Sequence, residues 1–189
     1  MLGRGRFRRI FVRVIAGSAR GVKLNSPEGE ETRPTLDRVK EAVFSMLMPY
    51  LNEACVLDMF SGSGALGIEA LSRGARHAVF AEKRHDAFNC IKKNIEAAKV
   101  GDRSDAFSGD VFDYLTTSKL NFDIVFIDPP YDSKLYYKAT DTVSELLSEK
   151  GVVVMEWDYS LGKPLISDKF CVVKEKKYGR VGITLLKRG

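Results

Sequence analysis

Histidine and cysteine are scarce in this chain of 189 residues, with two and three copies respectively. His77 and His85 have no cysteine or histidine at ligand spacing, so no metal site is expected. Cys55, Cys90 and Cys171 are odd in number, far apart and set in apolar segments, where they read as small buried hydrophobes rather than disulfide partners. No apolar run approaches the roughly 18 residues of a spanning helix, and the N-terminus lacks the 7 to 15 apolar residues of a secretory signal, so a cytoplasmic protein is the default. Internal repeats and low-complexity linkers are missing as well. The length and a hydrophobic content of 44% suit one globular domain with a sizeable core and a short appendage.

Acid is missing from one place only. Residues 1–27 hold Arg4, Arg6, Arg8, Arg9, Arg13, Arg20 and Lys23 without a single Asp or Glu, while the rest of the chain is close to neutral, so the net charge of +5 belongs to this arm. A basic segment on a near-neutral body points to a polyanion, most simply a nucleic acid. A solvated tail that keeps the protein soluble is the plainer alternative.

The remainder shows a regular rhythm. Leu36, Val39, Val43 and Leu47 recur at helical spacing behind Thr35 as N-cap. From Cys55 onward, short apolar runs alternate with helical patterns: CVLDMF, ALGIEALSRG, HAVFAE, and a helix with Phe88, Ile91, Ile95 and Ala98 on one face. DAFSGD, VFDYL, FDIVFI, a helix over residues 134–148 and GVVVMEW continue it. Such alternation predicts an α/β fold: a doubly wound, Rossmann-like, mostly parallel sheet with helices on both faces. FCVVKEKKYGRVGITLLKR, two strand-like runs around Tyr-Gly-Arg, predicts a closing antiparallel hairpin.

Ligands of doubly wound sheets sit beyond the carboxyl ends of the strands. Four expected ends carry an acid: Asp58, Glu82, Asp110 and Asp128. Each has a plainer reading as a cap of the following helix, strongest for Asp110 before VFDYL. Gly62, Gly64 and Gly67 match G-x-G-x-x-G, with Glu82 where a ribose-binding acid is expected. A nicotinamide dinucleotide would fit that pattern alone. Against it, Asp58 suits a cationic ligand group better than a pyrophosphate, and the chain has no room for a separate substrate domain.

With the Asp58–Gly67 turn, Glu82, Asp110 and Asp128-Pro129-Pro130-Tyr131 taken together, the sequence resembles the class I S-adenosylmethionine-dependent methyltransferases. The resemblance implies S-adenosyl-L-methionine as cofactor, with Asp58, Phe60, Gly62 and Gly64 near its methionine end and turn, Glu82 on the ribose, Asp110 and Val111 on the adenine. Asp128 to Tyr131 is similar to the family's signature for transfer to an exocyclic or amide nitrogen. An aromatic amine is a poor nucleophile, and a carboxylate with a nearby carbonyl can accept its two N–H groups and aim the lone pair. Prolines fix those acceptors and add no competing N–H, and Tyr131 offers a stacking ring. The target base must be unpaired or flipped out.

RVIAGSARGVKL, TRPTLDRVKEAVFSML, DMFSGSGALGIEALSRGA and FIDPPY together resemble small bacterial methyltransferases that modify the N2 of a guanine in 16S ribosomal RNA. The resemblance covers most of the chain from Arg13 onward. It implies an arm over residues 1–31 that helps grip RNA, with Arg13, Arg20, Lys23 and Arg33 as RNA-binding residues, a methyltransferase domain over 32–189, Arg33, Thr35 and Arg38 bordering the methionine end of the cofactor pocket, a monomer, and a small-subunit particle as partner. It also implies that residues 1–11 are a start-site artefact and that Val12 is the first native residue. Transfer to DNA adenine or protein glutamine stays open. So do a small nicotinamide oxidoreductase and a non-catalytic RNA-binding module.

Overall fold

A computed structural model describes residues 12–27, 35–130 and 133–189. It opens with a short antiparallel pair, β1 (Val12–Arg13) and β2 (Lys23–Leu24), followed by helix α1 (Thr35–Leu47). The alternating segments then become β3 (Cys55–Asp58), α2 (Ala65–Ser72), β4 (His77–Glu82), α3 (His85–Ala98), β5 (Ser104–Ser108), α4 (Val111–Thr117), β6 (Phe122–Ile127), α5 (Ser133–Val143) and β7 (Leu147–Asp158). The chain closes with the hairpin β8 (Phe170–Tyr178) and β9 (Val181–Arg188).

The sheet has seven strands in the order β5-β4-β3-β6-β7-β9-β8. β3 to β7 pair in parallel, and β9 runs antiparallel between β7 and β8. After β3 the chain winds outward through β4 and β5, then returns to lay β6 on the other side of β3. That reversal opens a crevice between β3 and β6, where the helices after the two strands leave in opposite directions.

Two apolar cores fill the faces. On one side Val56, Phe80, Ile124, Phe126 and Val154 pack under α1, α2 and α3, with Val14, Ala19 and Leu24 in the same cluster. On the other, Leu57, Val79, Val125, Ile127, Met155 and Trp157 pack under α4 and α5. Strands covered on both faces read as continuous apolar runs, which is why β3, β4 and β6 show no polar alternation.

Residues 12–25 are sewn to this body by three buried polar side chains. Glu69 accepts the N–H groups of Ile15 (2.8 Å) and Ala16 (3.0 Å). Ser72 accepts the N–H of Ala19 (2.9 Å) and donates to the carbonyl of Ala16 (2.5 Å). Asn94 accepts the N–H of Asn25 (2.7 Å) and donates to the carbonyls of Asn25 (2.9 Å) and Ser63 (2.8 Å).

Four sequence expectations need correction. The helix expected over 134–148 ends at Val143, because Phe122 donates to the carbonyl of Leu146 (2.8 Å) and draws Leu147 opposite itself to start β7 early. Thr35 is the first residue of α1 rather than its cap. Cys171 is exposed, since it lies on β8, the edge strand, and not inside the sheet. Cys90 is only half-buried on α3.

Candidate active site

The carboxyl edge is held together by main-chain bonds between the loops that leave neighbouring strands. Met59 donates to the carbonyl of Phe126 (3.1 Å), Ser61 to that of Ala81 (3.1 Å) and Gly109 to that of Glu82 (3.0 Å). The loops after β3, β4, β5 and β6 thus share one rim. It brings Asp58, Glu82, Asp110 and Asp128 to the same edge of four adjacent strands.

The turn after β3 is shaped by two glycines. Gly64 precedes α2 in the left-handed region, φ 75°, where a residue with a side chain pays a steric cost. At Gly67 a Cβ would lie 2.3 Å from the Phe80 ring, so the first turn of α2 sits almost on β4. Of the fingerprint, Gly67 is a packing residue, and Gly62 and Gly64 form the rim.

Glu82 and Asp58 bind this turn from below. Glu82 Oε2 accepts the N–H of Gly62 (2.8 Å), and its other oxygen accepts the N–H of Arg84 (2.7 Å). Asp58 Oδ2 accepts the N–H of Gly67 (3.1 Å). Burial pushes the Asp58 carboxyl up to about 7; the Gly67 bond opposes that rise and the charge of Glu82 adds to it. A buried carboxylate without a cation among the described residues is a ready receptor for an ammonium group. The α-ammonium of S-adenosylmethionine is such a group.

Asp110 caps α4 by accepting the N–H of Phe112 (3.0 Å), with Lys83 Nζ 3.7 Å from its other oxygen. The plain reading of this acid is therefore realised, and one side of it still faces the rim. Val111 is buried beside it, and Phe60 meets Phe112 edge-on at 6.5 Å. These apolar surfaces suit a flat ring next to a polar cap.

Asp128 is exposed at the end of β6, Pro129 is buried and Pro130 is exposed. The tetrapeptide therefore presents its carboxylate at the crevice while the first proline anchors it. Tyr131 and Arg33 lie outside the described residues, as does the side chain of Thr35. Arg38 is exposed on α1. Of the arm cations, Arg13 bonds Asp37 (3.0 Å), Lys23 is exposed, and Arg20 belongs to the turn whose Ser18 and Ala19 bond Ser72, at the opposite, amino end of the strands.

Sequence reasoning missed several residues at or under this edge. Glu69 and Lys40 are buried apolar-face intruders whose helical positions gave no sign of pairing. The β8–β9 turn brings Lys176, Lys177 and Arg180 to the carboxyl edge, because Tyr178 and Val181 lie level with Asp158. There Lys177 Nζ sits 3.8 Å from the centre of the Tyr159 ring, which stacks on Trp157. In the sequence these lysines belong to the closing hairpin; only the pairing of β9 with β7 shows which end of the sheet they occupy.

A doubly wound sheet of this order, with a glycine turn over a buried acid and Asp-Pro-Pro at the switch point, defines a class I S-adenosylmethionine-dependent methyltransferase. The resident cofactor is S-adenosylmethionine, and the buried Asp58, with no cation beside it among the described residues, fits it. The chain belongs to the family described as conserved hypothetical protein 95, whose profile matches residues 12–187. Among curated relatives, ribosomal RNA small subunit methyltransferase D of Haemophilus influenzae is 38% identical over 180 residues, covering 92% of each chain. YlbH of Bacillus subtilis, assigned as an rRNA methyltransferase, is 33% identical over 182 residues, covering 94% of this chain and 99% of its own. The solved structure of yhhF from Escherichia coli, assigned to the methyltransferases, superimposes with a TM-score of 0.84 at 30% identity, covering 94% of this chain and 98% of that one.

Proposed function

We propose that this protein methylates the exocyclic N2 of a guanine in 16S ribosomal RNA, within a small ribosomal subunit or an assembly intermediate. The observation that carries the reading is the exposed carboxylate of Asp128 at the switch point, one strand away from the cofactor-binding acid Asp58.

When bound, S-adenosylmethionine supplies an electrophilic methyl group on a sulfonium that leaves as a neutral thioether. The residues of the chain hold and aim. Asp58 takes the ammonium end, Glu82 the ribose hydroxyls, and the Asp110–Val111 corner the adenine. Asp128 accepts one N–H of the target amino group, and the Pro129–Pro130 segment offers a carbonyl for the second. The N2 lone pair is then directed at the methyl group, and the proton lost as the N–C bond forms passes to Asp128 and on to solvent. Tyr131 provides a stacking face for the flipped base.

Charge supports an RNA acceptor. Lys176, Lys177 and Arg180 stand on the rim beside β7, and Arg13, Arg20 and Lys23 line the flank, so a folded RNA can be held by its phosphates over both surfaces. The names of the relatives given above point the same way. The test is incubation with methyl-labelled S-adenosylmethionine and small subunits lacking the modification, followed by nucleoside analysis. N2-methylguanosine is the expected product; label on DNA adenine or on protein glutamine would replace this reading.

A further inference from the structure

Two further acids of β7 reach the carboxyl edge: Asp158 holds Arg180 (3.0 Å) and the N–H of Ser160 (2.8 Å), whereas Glu156 is used by none of the assignments above. β6 and β7 run parallel with Phe126 opposite Val154 and Ile127 opposite Met155, so the next residues along the two chains are Asp128 and Glu156. Phe126 and Val154 point into the core under α1, whereas Ile127 and Met155 point into the core under α5. Continuing that alternation puts Asp128 and Glu156 on the α1 side together, on chains about 4.8 Å apart. Asp58, which follows Leu57 of the α5-side core, projects on the α1 side as well.

The position of Glu156 is fixed from two directions. Its strand pairs Glu156 with Ile183 of β9, and its carbonyl accepts the hydroxyl of Tyr136 (2.8 Å), which rises from the helix that follows the Asp-Pro-Pro segment. Its carboxyl group neither caps a helix nor meets a cation or hydrogen-bond donor among the described residues. Burial raises it to about 7. An acid kept half-buried at a rim, with a fixed backbone and no hydrogen-bond or cationic partner among the described residues, is poised to receive a donor from a ligand.

Guanine offers the matching pattern. Its Watson–Crick edge sets the N1–H donor directly beside the 2-amino group, whereas adenine and cytosine set an unprotonated ring nitrogen beside their amino groups. Two neighbouring carboxylates can read that pair, one on the reacting amine and one on N1–H. We infer that Glu156 accepts the N1–H of the target guanine while Asp128 holds its 2-amino group, which makes Glu156 the residue that selects guanine. This rests on the guanine-N2 reading proposed above. A ring nitrogen lone pair facing the ionised Glu156 would be repelled, so above about pH 7 the same contact rejects adenine and cytosine. Sites built around a buried hydrogen-bonding group discriminate strongly against analogues that lack the partner.

The test compares guanine with 2-aminopurine, which keeps the amino group and lacks N1–H, at the methylated position of reconstituted small-subunit particles. Single-turnover rates are measured for the wild type, Glu156→Gln and Glu156→Asp, with cofactor affinity measured alongside. The wild type is expected to favour guanine by at least about 30-fold. Glu156→Gln, whose amide can donate to the bare N1 of 2-aminopurine, is expected to bring the ratio to within about threefold of one while binding cofactor within about twofold of wild type. A wild-type ratio near one, or an unchanged ratio in Glu156→Gln, would overturn the inference and leave the guanine-N2 reading standing. If Glu156→Gln does not fold, the wild-type ratio and that of Glu156→Asp decide. Failure of the wild type to label any guanine would remove the parent reading and this one with it.

Discussion

The ammonium of Lys40 on α1 lies 3.1 Å from the carboxylate of Glu69 on α2, and both side chains are closed to solvent. Glu69 also holds Arg73 Nε (2.7 Å) and the two arm amides, while Lys40 donates to the carbonyl of Arg13. One buried acid therefore joins the arm, α1 and the helix that follows the glycine turn. Burial lowers the Lys40 pKa and the charge of Glu69 opposes that. Glu69→Ala leaves the buried Lys40 without its ion-pair partner and two amides without acceptors, and should cost about 3–5 kcal/mol. Denaturant unfolding reads this directly; a loss under about 1 kcal/mol would show that the network is dispensable.

Asp128→Ala removes the acceptor at the reacting nitrogen and leaves the cofactor side of the crevice intact. Single-turnover rates should fall by about 10²–10⁴ with cofactor affinity nearly unchanged. Weakened cofactor binding with normal turnover would assign Asp128 to the wrong partner.

Asp58 makes cofactor affinity depend on pH. With its carboxyl raised to about 7, the charged form that receives an ammonium grows as pH rises. Affinity measured by calorimetry should therefore increase by up to about tenfold per unit between pH 5.5 and 7, and Asp58→Asn should flatten this. The stability of the free protein has the opposite sign. A folded pKa above the unfolded value means that the folded state holds more protons, so this group costs stability as pH climbs from about 4 to 7. Melting temperature should fall over that window in the wild type more steeply than in Asp58→Asn.

Gly67→Ala forces a methyl group to 2.3 Å from the Phe80 ring. Overpacking of this kind costs about 1–3 kcal/mol, and the displaced turn should weaken cofactor binding too. Phe80→Leu in the same chain should recover part of both, as melting temperature and calorimetry would show. No recovery would mean that the ring is not what Gly67 avoids.

RNA binding should weaken steeply with salt. About 4 to 7 phosphate contacts predict a log–log slope of roughly −3 to −6. Replacing Lys176, Lys177 and Arg180 with alanine should flatten it more than replacing Arg20, which lies at the far end of the strands. Equal effects would remove the rim from the binding surface.

The alternation of apolar runs and helical patterns in the sequence was enough to determine a doubly wound sheet, because strands covered on both faces must be continuously apolar. Acids directly after such runs, Asp58, Glu82 and Asp128, marked the carboxyl edge for the same reason, while Asp110 follows the more exposed β5. The tetrapeptide carried the expectation of transfer to nitrogen, since its acceptors are local in the chain. Burial of Glu69 and Lys40 was not legible, because, Arg73 apart, their partners come from segments 27 to 54 residues away in sequence. The early start of β7 and the exposure of Cys171 were decided by which strand pairs with which. Glu156 beside Asp128 and the lysines of the closing hairpin at the rim depend likewise on register and strand direction, which long-range pairing sets and no local pattern encodes.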